Sequence, residues 1–169
     1  MLELALIFFF PFFVVYGAAS DLFSMTIPNR ITLALMIGFM VMALWLKMDW
    51  VTIGWHWAMF AIVLAVTFTL FAFGVIGGGD AKLAAGIALW MGWEHSLMYF
   101  LLAALLGGVL TVLIVKIRNV PMPDWLLRQQ WAANIYRAER IPYGISMGAA
   151  ALLVYVQTFW MQQVFNPSI

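Results

Sequence analysis

The chain contains no cysteine, which excludes disulfides, thiolate metal sites and a cysteine nucleophile. Charge is almost as scarce: Asp, Glu, Lys and Arg make up 9% of the residues, against about a quarter in soluble globular domains. Internal repeats and low-complexity tracts are absent too. What fills the chain is apolar, with 66% hydrophobic residues and a mean hydropathy of +1.03. That composition excludes a water-soluble domain and implies an integral membrane protein. The net charge of +1 gives no basis for a nucleic-acid partner.

A spanning helix needs about 20 apolar residues, so the 169 residues hold roughly six with short connections and leave no room for a soluble domain. The expected fold is all-α and polytopic, one membrane domain over residues 1–169. Spans are predicted over Leu4–Ser20, Asn29–Leu46, Thr52–Phe73, Asp80–Gly92, Ser96–Ile117 and Pro142–Phe165. The fourth is short and needs tilt, local thinning or shelter among neighbours. The N-terminal run ends in small residues, as a signal peptide does, but its only early charge is Glu3. Without a positive n-region it reads as a retained first span.

With the N-terminus outside, the inner connections carry Arg30, Lys82, Lys116, Arg118, Arg128, Arg137 and Arg140, and the outer ones only Lys47. The positive-inside rule therefore puts the N-terminus outside and the "GGGD" break inside. Trp45, Trp50, Trp55, Trp57, Trp90 and Trp93 gather toward the opposite end as an interfacial belt. Lys47, Asp49, His56, Glu94 and His95 share that layer, and the two histidines read as interfacial residues because neither shows metal-ligand partners. Residues 118–140 form the longest inner loop, with an amphipathic helix capped by Asp124. Its Leu127, Trp131 and Ile135 lie on one face, and Arg128 and Arg137 on or near the other. It serves either as a connector bound to membrane lipid or as a grip on substrate.

Of the seven acidic residues, Glu3, Asp49 and Glu94 belong to outer helix ends, and Asp124 and Glu139 to the inner loop. Asp21 and Asp80 remain, one closing the first helix and one opening the fourth, at similar depth. Each alone can be a solvated interfacial group. Gly77, Gly78 and Gly79 break the helical pattern just before Asp80, either as a simple turn or as backbone lining a wet, confined site. Two neighbouring carboxylates resist joint ionisation, so one keeps a proton while the other activates water, the arrangement peptide hydrolysis uses. The helix dipoles assign the base to Asp80, at an N-terminus, and the proton to Asp21, at a C-terminus. Lys82 points away from Asp80 and either anchors the helix in the interface or shapes the field of the site.

At these residues the chain resembles the type IV prepilin peptidases, in the short single-domain form associated with Flp-type (tight-adherence) pili. "SDLFSMTIPNRIT" is similar to the first aspartate block, with Pro28 and Asn29 opening the next helix. "GGGDAKLAAG" is similar to the Gly-x-Gly-Asp block with its lysine, and "RIPYGISMG" to the Pro-Tyr-Gly start of the last span, at Pro142, Tyr143 and Gly144. The resemblance implies an aspartic protease of the bacterial inner membrane that cuts prepilins and pseudopilins at the cytoplasmic face. Asp21 and Asp80 match the catalytic pair, supported by Gly77, Gly78, Gly79, Lys82, Pro28, Asn29, Pro142, Tyr143 and Gly144. No metal and no cofactor is needed. The cysteine-bearing methyltransferase region of the long members has no counterpart here.

Two other classes compete. A small ion- or proton-coupled carrier would use the same aspartates, but predicts matched helix breaks in two halves of the chain. A structural anchor of a pilus machine would tolerate Asp21→Asn and Asp80→Asn.

Overall fold

The computed structural model describes residues 2–137 and 141–165. Every regular element among them is a helix: α1 (Leu2–Ser24), α2 (Asn29–Trp45), α3 (Trp50–Ala72), α4 (Gly78–Arg118), α5 (Asp124–Leu127), α6 (Gln130–Arg137), α7 (Tyr143–Tyr155) and α8 (Phe159–Phe165). Helices α1, α3 and α4 are long and apolar enough to cross a membrane, and α7 with α8, bent by 46°, makes a fourth candidate. Helix α2 is a shorter apolar helix of 17 residues. Large apolar side chains such as Phe8, Phe12, Ile37 and Leu101 face outward from the bundle, as a lipid solvent permits and water would not. The protein is an all-α polytopic membrane protein.

Helix α4 departs from the expected pair of helices joined by a polar turn. Its 41 residues would measure about 62 Å if straight, about twice the hydrocarbon thickness. The helix is broken at Gly92 (φ 64°, ψ −170°), and Trp93, Glu94 and His95 are already helical. Phe100 packs against the cluster of Val63, Ala84, Ala85 and Ala88, so the chain doubles back at this one residue. The first leg, to Gly92, runs through the middle of the bundle. Residues 83 to 92 on it are buried without interruption. A helix that is apolar on all sides belongs in the interior.

That reversal leaves main-chain carbonyls without helical partners, and in an apolar medium each must be met from elsewhere. His56 of α3 donates from Nδ1 to the Leu89 carbonyl (2.6 Å), and Trp160 of α8 donates from Nε1 to the Trp90 carbonyl (2.8 Å). Two expectations change accordingly. His56 is a half-buried structural donor rather than an interfacial residue, and Trp90 is fully buried, donating to the Leu35 carbonyl rather than joining a surface belt. Trp45, Trp50, Trp55 and Trp93 are exposed, and Trp57 is partly buried against Met40.

The single amphipathic helix expected in the long loop is two short helices, α5 and α6, interrupted at Arg128 and Gln129. Asn134 of α6 donates to the Phe23 carbonyl at the end of α1, and Arg118 at the end of α4 donates to the Ile135 carbonyl. Helix α6 is therefore tied to the bundle. Glu139 and Arg140 lie outside the described residues, as do the side chains of Asp124 and Arg137. The last expected span is also divided, since α7 ends at Tyr155 and α8 starts at Phe159.

Asp49 caps α3, accepting from the Thr52 hydroxyl (2.7 Å) and the Thr52 N–H (2.8 Å). These two bonds, the hydroxyl foremost, hold its carboxyl below the usual carboxylate range. Because the folded pKa is the lower one, the cap's contribution is complete above the unfolded value of about 3.9 and is lost as pH falls through the folded value. Carbon-13 titration of the Asp49 carboxyl is expected to give a midpoint below that value, and the melting-temperature gap between wild type and Asp49→Ala should close at low pH. For the reversal, Gly92→Ala is expected to cost about 1–3 kcal/mol from its positive-φ, extended-ψ backbone alone, with a further penalty because its Cβ would lie 2.7 Å from His56. Unfolding in detergent micelles at the wild-type temperature would contradict that origin for the break.

Candidate active site

Asp21 lies on the last turns of α1, which continues to Ser24. Its carboxylate is 6% exposed and accepts a 2.7 Å hydrogen bond from the Gly144 N–H, 123 residues away in the first turn of α7. The approach is so close that a Cβ on Gly144 would lie 2.8 Å from the Asp21 Cβ. One turn further along, Gly148 sits against Ala18 and Val14. The Gly144-x-x-x-Gly148 spacing thus seats α7 directly on α1, as small residues do between membrane helices. Pro142 is the N-cap residue of α7, and the Tyr143 ring lies beside Gly107 on the second leg of α4.

Asp80 stands in the first turn of α4, where Gly77 is the N-cap residue. The three glycines before it have no positive φ among them, so they are not needed for unusual backbone. They are needed for room. A Cβ on Gly77 would meet the Asp80 carboxylate at 2.8 Å, one on Gly78 the Phe71 ring at 3.2 Å, and one on Gly79 the Ile27 side chain at 3.1 Å. Gly79 therefore brings the start of α4 onto the connection that follows Asp21. That connection is shaped by Met25 at φ 51° and by Ser20 Oγ donating to the Thr26 carbonyl at 2.8 Å. Lys82 completes the junction, its Nζ donating to Asn29 Oδ1 at 2.9 Å. Lys82 and Asn29 come from the two different aspartate blocks, and Lys82 acts as a clamp between α4 and α2.

The two aspartates stand at the same end of the bundle. The Leu83 side chain covers Gly17 of α1 at 3.4 Å from where its Cβ would be. Asp21 is about one turn past Gly17, and Asp80 about one turn before Leu83 on a chain running the other way. On a helix of about 3.6 residues per turn, Asp80 projects between Leu83, which faces α1, and Ala84, which faces Phe100 and Met147 of α7. Asp21 faces Gly144 of α7. Asp21 and Asp80 therefore stand at one end of the bundle, Asp21 against α7 and Asp80 at the start of α4. Asp80 stands at the N-terminus of α4 and Asp21 near the C-terminus of α1, as expected, but Asp21 also faces the N-terminus of α7, which offsets the dipole of its own helix.

The remaining expected polar residues are elsewhere. Asp49, His56, Glu94 and His95 line a cavity of about 1010 Å³ walled by Trp55 and Trp160. It lies by the Gly92 reversal and contains neither Asp21 nor Asp80. Sequence reasoning missed Gly17, Gly148 and the Ser20 hydroxyl; of these only Gly148 carried a signal, its spacing from Gly144.

A family model described as the type IV leader peptidase family matches residues 8–112, well over half of the chain. The chain belongs to the type IV leader peptidase family. This leader peptidase carries both aspartates, the three glycines, Lys82, Pro28 and Asn29 inside the matched segment, and the Pro142–Gly144 turn beyond it. Neither a curated protein nor a solved structure matches it.

Two glycines of the peptidase make a paired test. Gly144→Ala is expected to push Asp21 from its place and remove most peptidase activity, with a lower melting temperature. Gly108→Ala, whose Cβ would meet nothing within 4 Å, is expected to be neutral or stabilising by up to about 1 kcal/mol from helix propensity. Equal behaviour of the two variants would show that the approach at Gly144 is immaterial.

Proposed function

We propose that this leader peptidase is an aspartic endopeptidase in which Asp21 and Asp80 form a water-activating dyad, and that it trims prepilins and pseudopilins of the Flp type. What supports the reading is that Asp21 and Asp80, on opposite-running helices, each stand about one turn from the Gly17–Leu83 contact at the same end of the bundle. In such a pair one carboxylate takes a proton from water as the water oxygen bonds to the scissile carbonyl carbon, and the protonated partner donates to the carbonyl oxygen. Collapse breaks the C–N bond, and the amine leaves with a proton from the dyad. The pair titrates as a unit, so neither residue owns a single pKa. No metal or organic cofactor enters these steps.

Gly77, Gly78 and Gly79 support the dyad by letting Asp80, α3 and the α1–α2 connection close around it. Lys82, Asn29 and Pro28 hold α2 to α4, while Pro142, Tyr143 and Gly144 present the N–H that orients Asp21. The distribution of basic residues supports an N-terminus outside, about six passes with α4 supplying two, and a dyad at the cytoplasmic face of the bacterial inner membrane. Residues 1–169 form one membrane peptidase domain in this reading. Residues 118–140 are a cytoplasmic loop whose α5 and α6 rest at the membrane surface against anionic lipid.

Co-expression with an Flp-type prepilin tests the reading. Wild type is expected to shorten the pilin, and Asp21→Asn and Asp80→Asn, present at equal levels in the membrane, are each expected to lose at least a thousandfold in rate, about 4 kcal/mol of transition-state stabilisation. Continued trimming by both variants would rule the dyad out.

A further inference from the structure

The doubling-back of α4 carries a phenolic hydroxyl into the interior beside the site. Tyr99 stands on the first turns of the second leg, next to Phe100, with ring centroids 4.8 Å apart. It is wholly buried, at 0% exposure. Among the described residues its hydroxyl has no hydrogen-bond partner. An orphaned buried donor is rare in native structures and calls for a reason. The Tyr99 hydroxyl also lies close enough to Asp80 for the carboxylate charge to act on it. That proximity is a product of the reversal: along an unbroken helix the 19 intervening steps would separate the two by about 28 Å. Phe100, next to Tyr99, packs against the cluster that includes Ala84, Ala85 and Ala88 of the first leg, so this part of the second leg lies alongside the leg that carries Asp80. Thr32 also has a buried hydroxyl with no partner among the described residues, but it sits on α2, on the opposite side of the first leg, beside Gly86.

We infer that the Tyr99 hydroxyl positions the hydrolytic water at Asp80. A buried water needs two or more polar partners, and a carboxylate with a phenol supplies an acceptor together with a group that can donate or accept. The hydroxyl keeps its own proton throughout. It fixes the water oxygen toward the scissile carbonyl while the water proton passes to the dyad, and it is released when the new C–O bond forms. Tyr99 is thus a water-positioning residue and not a third acid or base. The inference rests on the dyad reading proposed above.

Tyr99→Phe separates this role from a structural one, because deleting a hydroxyl that has no protein partner removes no protein hydrogen bond. The purified full chain in detergent micelles would be assayed on an Flp-type prepilin, alongside Asp21→Asn and Asp80→Asn. Tyr99→Phe is expected to melt at or above the wild-type temperature, to keep the wild-type KM and to lose roughly tenfold or more in kcat. Unchanged kcat would overturn the role. So would a fall in activity that tracks a lower melting temperature, which would mark the hydroxyl as structural. If wild type cleaves and the two aspartate variants do not, while Tyr99→Phe is fully active, only the tyrosine role fails. Activity in the aspartate variants overturns the dyad and the tyrosine role together.

Discussion

The hydrogen bond from the Gly144 N–H to the Asp21 carboxylate joins the first helix to the seventh, and the arrangement of the site follows from it. A carboxylate this deep in an apolar bundle must be solvated by something, and here the solvent is the opened end of a helix. The bond demands that α7 lie on α1 with nothing between, which Gly144 and Gly148 permit. Tyr143 is then brought to Gly107, and the second leg of α4 takes its place beside α7. One polar contact thereby fixes three helices whose apolar faces would otherwise slide past one another, since lipid offers no preference among them.

The first leg of α4 is the complementary element. Its alanines and glycines let α2, α3 and α7 crowd around it, and it ends in two different kinds of break. At one end the glycines make room around Asp80; at the other Gly92 reverses the chain. The leg therefore couples the site to the far side of the bundle through a rod with few rotatable parts. The aromatic cluster of Phe10, Phe39, Trp90, Tyr155 and Trp160 packs its upper half, and the Lys82–Asn29 clamp holds its lower half.

How much of this was readable depended on the kind of signal. Asp21 and Asp80 stand out because a charge inside an apolar run has few inexpensive explanations, and the helical, membrane-embedded class follows from composition alone. The short fourth span was legible as a length; its burial in the middle of the bundle was the shelter that such a length required. What was illegible depended on the third dimension. "WMGWEH" reads as a polar turn, yet one glycine with positive φ does the turning and the polar residues resume the helix. Trp90 and Trp93 look alike in sequence, but one is at 0% exposure and the other at 65% because only the first belongs to the enclosed leg. The dipole argument for Asp21 considered only its own helix, whereas the end that faces it belongs to another. The loop helix was overextended because apolar residues four apart continue the pattern across Arg128 and Gln129, where the backbone does not.

Six of the polar bonds between helices share one property. His56 donates to the carbonyl of Leu89, Trp90 to that of Leu35, Trp160 to that of Trp90, Tyr155 to that of Leu6, Asn134 to that of Phe23 and Arg118 to that of Ile135. In every case a side chain gives and the main chain receives. A carbonyl is present whatever residue bears it, so the receiving positions are free to exchange one apolar side chain for another while the donors are not. Inheritance of these six bonds is accordingly lopsided: they are written in six donor side chains and can be kept while the surrounding hydrocarbon drifts.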